Sequence, residues 1–278
     1  MGCFISSEIG LSSASRIALC VEYQGTNFNG WQAQKAEAVF TVQETLESAV
    51  SKVADQTIKV FCAGRTDKGV HASAQIVHFE TSNDRPLKAW VKGCNALLPN
   101  TVVVRWAKQV EPDFHARFSA LSRRYCYLIH NNNIPSALLQ GQVKSHYFPL
   151  NERLMHEAAQ HLLGEQDFSS FRGAGCQSNT PMRNISHIKV DRFGGFVIVD
   201  IKANAFLLHM VRNIVGVLLE VGEGQRKPDW VKHLLAQKDR REGGITAPPD
   251  GLYLLEVEYP EKYELPAAPW VFPFFKSS

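Results

Sequence analysis

Residues 16–23 read RIALCVEY and residues 41–54 read TVQETLESAVSKVA. The first run is apolar and rich in strand-forming residues, so it is read as a β-strand. The second places Val42, Leu46, Ala49, Val50 and Val53 at helical spacing behind a Thr41–Glu44 capping box, so a helix follows the strand. Further along, IKVFCAG (58–64) and AQIVHFET (74–81) are two strand-like runs around a polar loop. A helix with Leu87, Trp90, Val91, Cys94 and Leu98 on one face then stops before Pro99, and TVVVRWAKQV (101–110) closes the unit as a strand. The order is βαββαβ, the split βαβ arrangement of ferredoxin-like folds.

Past Glu111 the pattern recurs without any sequence repeat. A strand at 124–130 precedes a helix at 152–163 that ends at Gly164, followed by a hairpin turning on Gly194 and Gly195. A long helix through 205–219, a shorter one at 229–237 and the strand GLYLLEVEY (251–259) complete it. The expected fold class is α+β, with two pseudo-related halves that each hold an antiparallel sheet and helices. The expected boundaries are an N-terminal extension at 1–15, halves at 16–110 and 111–260, and a proline- and aromatic-rich tail at 261–278.

Composition narrows the class without naming it. With 278 residues, 45% hydrophobic and 10% aromatic, the chain can bury a large core, which excludes disorder as the main reading. The formal net charge of +3 is too small to identify a polyanionic partner. Cys3, Cys20, Cys62, Cys94, Cys126 and Cys176 never approach a CxxC spacing and are read as reduced thiols of a cytoplasmic protein. The longest apolar run, 203–219, is interrupted by Arg212, so no membrane span is expected. The N-terminus lacks a basic region and carries Glu8, against a secretory signal, although Gly2 with Ser6 formally fits the myristoylation pattern.

Three stretches concentrate reactive chemistry. The loop Gly64–Arg65–Thr66–Asp67–Lys68–Gly69–Val70–His71–Ala72 packs one acid and three potential cations between glycines, and can equally be read as a tight turn. In 205–219, AFLLHMVRNIVGVLL, Arg212 is the single formal charge, and a buried guanidinium needs an acid or phosphate beside it. The alternative is a narrow wet stripe, since His209, Arg212, Asn213, Gly216 and Glu220 share one helix face. Third, 114–151 and 168–190 hold no acid, while Arg117, Arg123, Arg124, Lys144, Arg172, Arg183 and Lys189 lie among Phe118, Tyr125, Tyr127 and Tyr147. Cations interleaved with aromatics suit a phosphate backbone with stacked bases, against the plainer reading of polar loops. HEAAQH (156–161) has the wrong spacing for zinc, and neither a Walker loop nor a strand-linked GxGxxG is present, so no metal or nucleotide cofactor is expected. His71 and His209 lie near these clusters, where a lone histidine is more often structural.

The loop GRTDKGVHA (64–72), the run DFHARFSA (113–120), the segment NAFLLHMVRNIVG (204–216) and GLYL (251–254) together resemble the tRNA pseudouridine synthases of the TruA family, in order and in register from about Arg16 to Tyr259. The resemblance implies two α+β halves around a central cleft. It also implies a cofactor-independent, metal-free isomerisation: the N1–C1′ bond of uridine is cut, the uracil turns, and C5 is joined to C1′. Asp67 is then the essential carboxylate, Arg212 the cation that keeps it ionised, and Tyr125 and Leu252 the residues bracketing the uracil. Arg65 is placed to fill the stack left by an extruded base. Phe114, His115, Arg117 and Phe118 are implied RNA contacts, with Arg85, Asn133, His146 and the stretch Gly175, Cys176, Gln177, Ser178 and Asn179 as further candidates. The implied substrate is the tRNA anticodon stem-loop, uridines 38 to 40, bound by a homodimer without any membrane association. The competing expectations are a catalytically silent RNA-binding protein of this fold and a hydrolase using Asp67 and His71.

Overall fold

A computed structural model describes residues 14–33 and 40–267. The Gly2–Ser6 pattern, Cys3 and the tail beyond Ala267 lie outside the described residues. Strand β1 (Ser15–Tyr23) leads to helix α1 (Val42–Ala54), a two-residue strand β2 (Phe61–Cys62), β3 (His71–Thr81), α2 (Leu87–Leu97) and β4 (Val102–Val110). Then come β5 (Ser122–Asn131), β6 (Lys144–His146), α3 (Glu152–Gln160), β7 (Gly164–Asp167), β8 (Met182–Phe193), β9 (Phe196–Ala203), α4 (Met210–Gly222), α5 (Trp230–Gln237) and β10 (Leu252–Glu258). Helix α1 begins where the capping box places it, with the Thr41 side chain accepting from the Glu44 amide.

The strands do not form two separate sheets. One ten-stranded sheet runs β4-β1-β3-β10-β5-β9-β8-β7, with β2 on β3 and β6 on β5. The last described strand joins the N-terminal strands to the later ones, because β10 pairs antiparallel with β5 and parallel with β3 through Tyr253–His71 and Leu254–Ala72. The strand expected over 58–64 is short: β2 keeps only Phe61 and Cys62, paired with His78 and Val77 of β3.

Alternation sorts each strand between two faces. Leu19, Val21, Val77, Phe79, Tyr127, Ile129, Val199, Ile201 and Leu254 point toward the helices and build the main core. There α1 packs with α2, and α3 with α4 and α5. Ala18, Cys20, Ala74 and Ile76 face the other way and are covered by Phe114, Ala116 and Tyr263 from the 111–120 and 259–265 segments.

His78 fastens that cover. Its ring is buried on β3, its Nδ1 accepts the Ala116 amide at 3.1 Å, and Phe61 stacks on it with centroids 5.1 Å apart. Burial, then the neighbouring His115 and Arg16, push its pKa down from 6.5 to about 4. A base with a depressed folded pKa takes up a proton on unfolding. Its stabilisation is thus complete above pH 6.5 and is lost as pH falls toward 4. About 3 kcal/mol is at stake, converting the depression at about 1.4 kcal/mol per pH unit. Chemical denaturation at pH 7 and pH 4.5 is expected to show this loss, and His78→Asn, which keeps an acceptor at the Nδ1 position, to flatten it. An equal loss in the variant refutes the assignment.

Candidate active site

The loop between β2 and β3 is held from below before any side chain reaches the cleft. Gln75 Nε2 donates to the Gly64 carbonyl at 2.6 Å, Trp31 N–H to the Thr66 carbonyl at 3.0 Å, and Tyr23 Oη meets Thr66 Oγ1 at 2.8 Å. Gly30 is required here: its φ is +87°, and a Cβ would lie 2.9 Å from the Thr66 oxygen and 3.2 Å from the Asp67 carbonyl carbon. The Asp67 carbonyl closes a turn onto the Val70 amide at 3.1 Å. His71, the histidine of the loop, serves this scaffold. Its Nδ1 accepts the Gly25 amide at 3.0 Å, its Nε2 meets the Asp250 carbonyl at 3.1 Å, and its ring stacks on Tyr253. Burial lowers its pKa, so it stays neutral and has no free nitrogen for chemistry.

The acid beside Arg212 is Asp67. Arg212 Nη1 donates to Asp67 Oδ2 at 3.3 Å, while Arg212 Nε donates to the Ala247 carbonyl at 2.8 Å, so the guanidinium is gripped on two sides. The Asp67 side chain keeps 30% exposure against 15% for Arg212, and the carboxylate therefore opens onto the cleft while the cation sits behind it. The helix carrying Arg212 is shorter than expected: 205–209 is loop, α4 starts at Met210, and Arg212 lies in its first turn. His209, immediately before the helix, adopts left-handed backbone with φ +58° and brings its Nε2 to 3.4 Å from the same Asp67 oxygen. The sequence placed His209 on the face of Arg212 but weighed it as structural. Its i, i+3 spacing from the charged residue was the available signal.

These groups line a cleft of about 990 Å³ between the two helix groups. Tyr125 projects into it from β5 and Leu252 from the start of β10, and Phe206 meets the Tyr125 ring edge-on with centroids 5.2 Å apart. Burial, and secondarily the Asp67 charge, push the Tyr125 phenol up, against the opposing pull of Arg123, so it remains protonated at neutral pH. Among the described lining residues Asp67 is the single carboxylate, facing Lys59, Arg65, Arg117, Arg123, Arg183 and Arg212. Arg123 holds its place through the carbonyls of Ala63, Arg117, Ala120 and Asn204, so no carboxylate neutralises it.

The other sequence-derived candidates divide. Arg65, His115, Arg117, Phe118, Gly175, Cys176, Gln177 and Ser178 line the cleft. Phe61, which the sequence reading did not select, joins them with its ring 5.7 Å from His115. Phe114 does not: it is fully buried on the opposite face of the sheet, packed on Tyr259 and Tyr263. Arg85 is away from the cleft, donating to the Val53 carbonyl at the end of α1. Asn133 lies in an exposed loop after β5, and His146 is buried with its Nε2 3.1 Å from Glu223. Asn179 is exposed beyond the lining. Among the described residues no group of three or more His, Cys, Asp or Glu is arranged to hold a metal ion, and no helix is long and apolar enough to cross a membrane.

Comparison with known proteins bears on this geometry. A family profile described as tRNA pseudouridine synthase matches residues 19–119 and 158–260. A relative from Aliivibrio fischeri (strain MJ11) called tRNA pseudouridine synthase A is 55% identical over 254 residues, spanning 91% of this chain and 96% of the relative. A protein of the same name from Coxiella burnetii (strain Dugway 5J108-111) is 53% identical over 261 residues, 94% of this chain and 99% of that protein. The profile takes in Asp67, Arg212 and Leu252, and the chain belongs to the tRNA pseudouridine synthase family, isomerases that convert uridine to pseudouridine in tRNA.

Proposed function

We propose that Asp67 is the carboxylate that drives this isomerisation, on uridines 38, 39 and 40 of the anticodon stem-loop, in a cytoplasmic homodimer and without a cofactor. The observation that carries the reading is a carboxylate, backed by a guanidinium and single among the described lining residues, opening onto a cleft where the other formal charges of those residues are all positive. Substrate and product are isomers: N1 gains a proton, C5 loses one, and C1′ exchanges its bond to N1 for a bond to C5. No oxidant, reductant or added group is required. What the reaction needs is a carboxylate held in place, and the Arg212 hydrogen bond holds it.

A uridine inside a stem or stacked loop has to be turned out, at a cost of a few kcal/mol. The cleft, at the upper end of the ~300–1,000 Å³ range of ligand pockets, has room for an extruded nucleotide. Tyr125 and Leu252 supply an aromatic and an apolar surface for the base, and Arg65, two residues from Asp67, is placed to occupy the vacated stack. Arg117, Arg123 and Arg183 supply charge for the phosphates on either side, with Phe118 and Phe61 as exposed stacking surfaces. The homodimer is supported by the apolar side chains Ile134, Leu138, Tyr147 and Phe148, all exposed between β5 and α3.

The test is to incubate the purified protein with unmodified tRNA in buffer containing a chelator and no added cofactor, then map pseudouridine. Modification at positions 38 to 40 is expected. Modification elsewhere replaces the anticodon assignment, and its absence everywhere sinks the cofactor-free reading.

A further inference from the structure

We infer that His209 is a positioning residue that fixes which oxygen of Asp67 meets the substrate, an inference that rests on Asp67 being the reacting carboxylate. Arg212 Nη1 and His209 Nε2 both approach Oδ2, at 3.3 and 3.4 Å, and among the described residues no donor reaches Oδ1. The Arg212 hydrogen bond and the neighbouring imidazole converge on Oδ2, which leaves Oδ1 as the oxygen without a donor among the described residues. Arg212 alone leaves the carboxylate room to rock about that bond, and the imidazole standing against the same oxygen narrows the rocking.

Three features hold His209 there at a cost that a purely packing residue would not require. Its backbone is left-handed, with φ +58°, a conformation uncommon for residues that carry a side chain although histidine adopts it more readily than most. The Gly173 amide donates to the Leu208 carbonyl at 2.7 Å, which seats the 173 loop against the turn before α4. Gly173 leaves room for the ring: a Cβ there would stand 3.1 Å from His209 Nδ1, 3.2 Å from His209 Cβ and 2.9 Å from the Leu208 oxygen. The ring thus has Gly173 on its Nδ1 side and Asp67 on its Nε2 side. The Nε2–Oδ2 contact lies at ion-pair distance without hydrogen-bond alignment, and a small turn of the ring completes the bond.

The test compares three substitutions in single-turnover assays with enzyme in excess, alongside tRNA affinity and melting temperature. His209→Gln keeps an N–H donor at similar reach, His209→Leu removes it with a comparable backbone penalty, and His209→Gly removes it while relieving that penalty. His209→Leu and His209→Gly are each expected to lower the rate of the chemical step roughly 10- to 100-fold, with tRNA affinity changed less than about twofold. His209→Gln is expected to recover most of the rate. A wild-type rate in His209→Gly overturns the inference by showing that only backbone strain mattered, and a wild-type rate in His209→Leu overturns it outright. Asp67→Asn measured in parallel separates the two levels: if it is inactive while His209→Leu turns over normally, only the role of His209 falls. If Asp67→Asn is itself active, the carboxylate reading falls first.

Discussion

Asp67→Asn is expected to bind tRNA at least as tightly as the wild-type protein while forming no detectable pseudouridine. The two halves of that result have separate causes. Asparagine is nearly isosteric, so it can still accept from Arg212 Nη1, and the loop beneath it is held by Gln75, Trp31 and Tyr23 rather than by the carboxylate. The fold and the cleft should therefore persist. Binding should not weaken, because the substitution removes the only carboxylate among the described lining residues and leaves six formal cations facing a polyanion. Chemistry should stop, because a neutral amide is neither a nucleophile nor a base at neutral pH, and loss of such a group typically costs at least about 10⁴-fold in turnover. Filter binding or fluorescence anisotropy gives the affinity, and pseudouridine mapping gives the turnover. Residual isomerisation within about tenfold of wild type would place the reacting group elsewhere.

How much of this was legible beforehand depended on whether a feature is local. The helix at Val42–Ala54 is written in its own cap and periodicity, and the Gly194–Gly195 hairpin in its turn residues, so both are found where the sequence put them. The single sheet was not legible. Whether two βαβ-like halves share an edge depends on β10 inserting between β3 and β5, a pairing between residues about 180 and 130 positions apart that no local pattern encodes. β2 is shorter and α4 starts later, at Met210, than the local pattern suggests. For the site, Arg212 announced its need for an acid because a single charge in an apolar run is expensive, and Asp67 stands there. Phe114 shows the reverse failure. Within DFHARF it reads like its neighbours, yet it packs with Ala116 and Tyr263 over Ala74 and Ile76 on the other face of the sheet. His209 escaped because its role depends on a left-handed backbone and on a glycine 36 positions away, neither of which is visible in composition.

Arg212→Met is the second substitution with a large expected effect, and its loss should fall on chemistry more than on binding. Methionine preserves the length and apolar body of the side chain in the first turn of α4. It removes the Nη1 bond to Asp67 and the Nε bond to the Ala247 carbonyl. The Ala247 segment keeps its second tie, since the Ala247 amide donates to the Arg212 backbone carbonyl at 3.1 Å, so the stability loss should stay near about 1–3 kcal/mol, the cost of one unsatisfied buried acceptor. The carboxylate then faces the cleft with His209 as its one remaining partner, 3.4 Å away. Losing one well-placed charged donor in a site of this kind lowers turnover by about 10²- to 10³-fold. Arg212→Lys should restore only part of it: an ammonium replaces the charge but cannot grip Asp67 and the Ala247 carbonyl at once, as a planar guanidinium does. Single-turnover rates with saturating enzyme separate this effect from tRNA affinity, where one cation lost from six should weaken binding modestly and more so at low salt. An Arg212→Met protein that binds poorly but isomerises bound tRNA at the wild-type rate would make Arg212 a phosphate contact instead of the partner of Asp67.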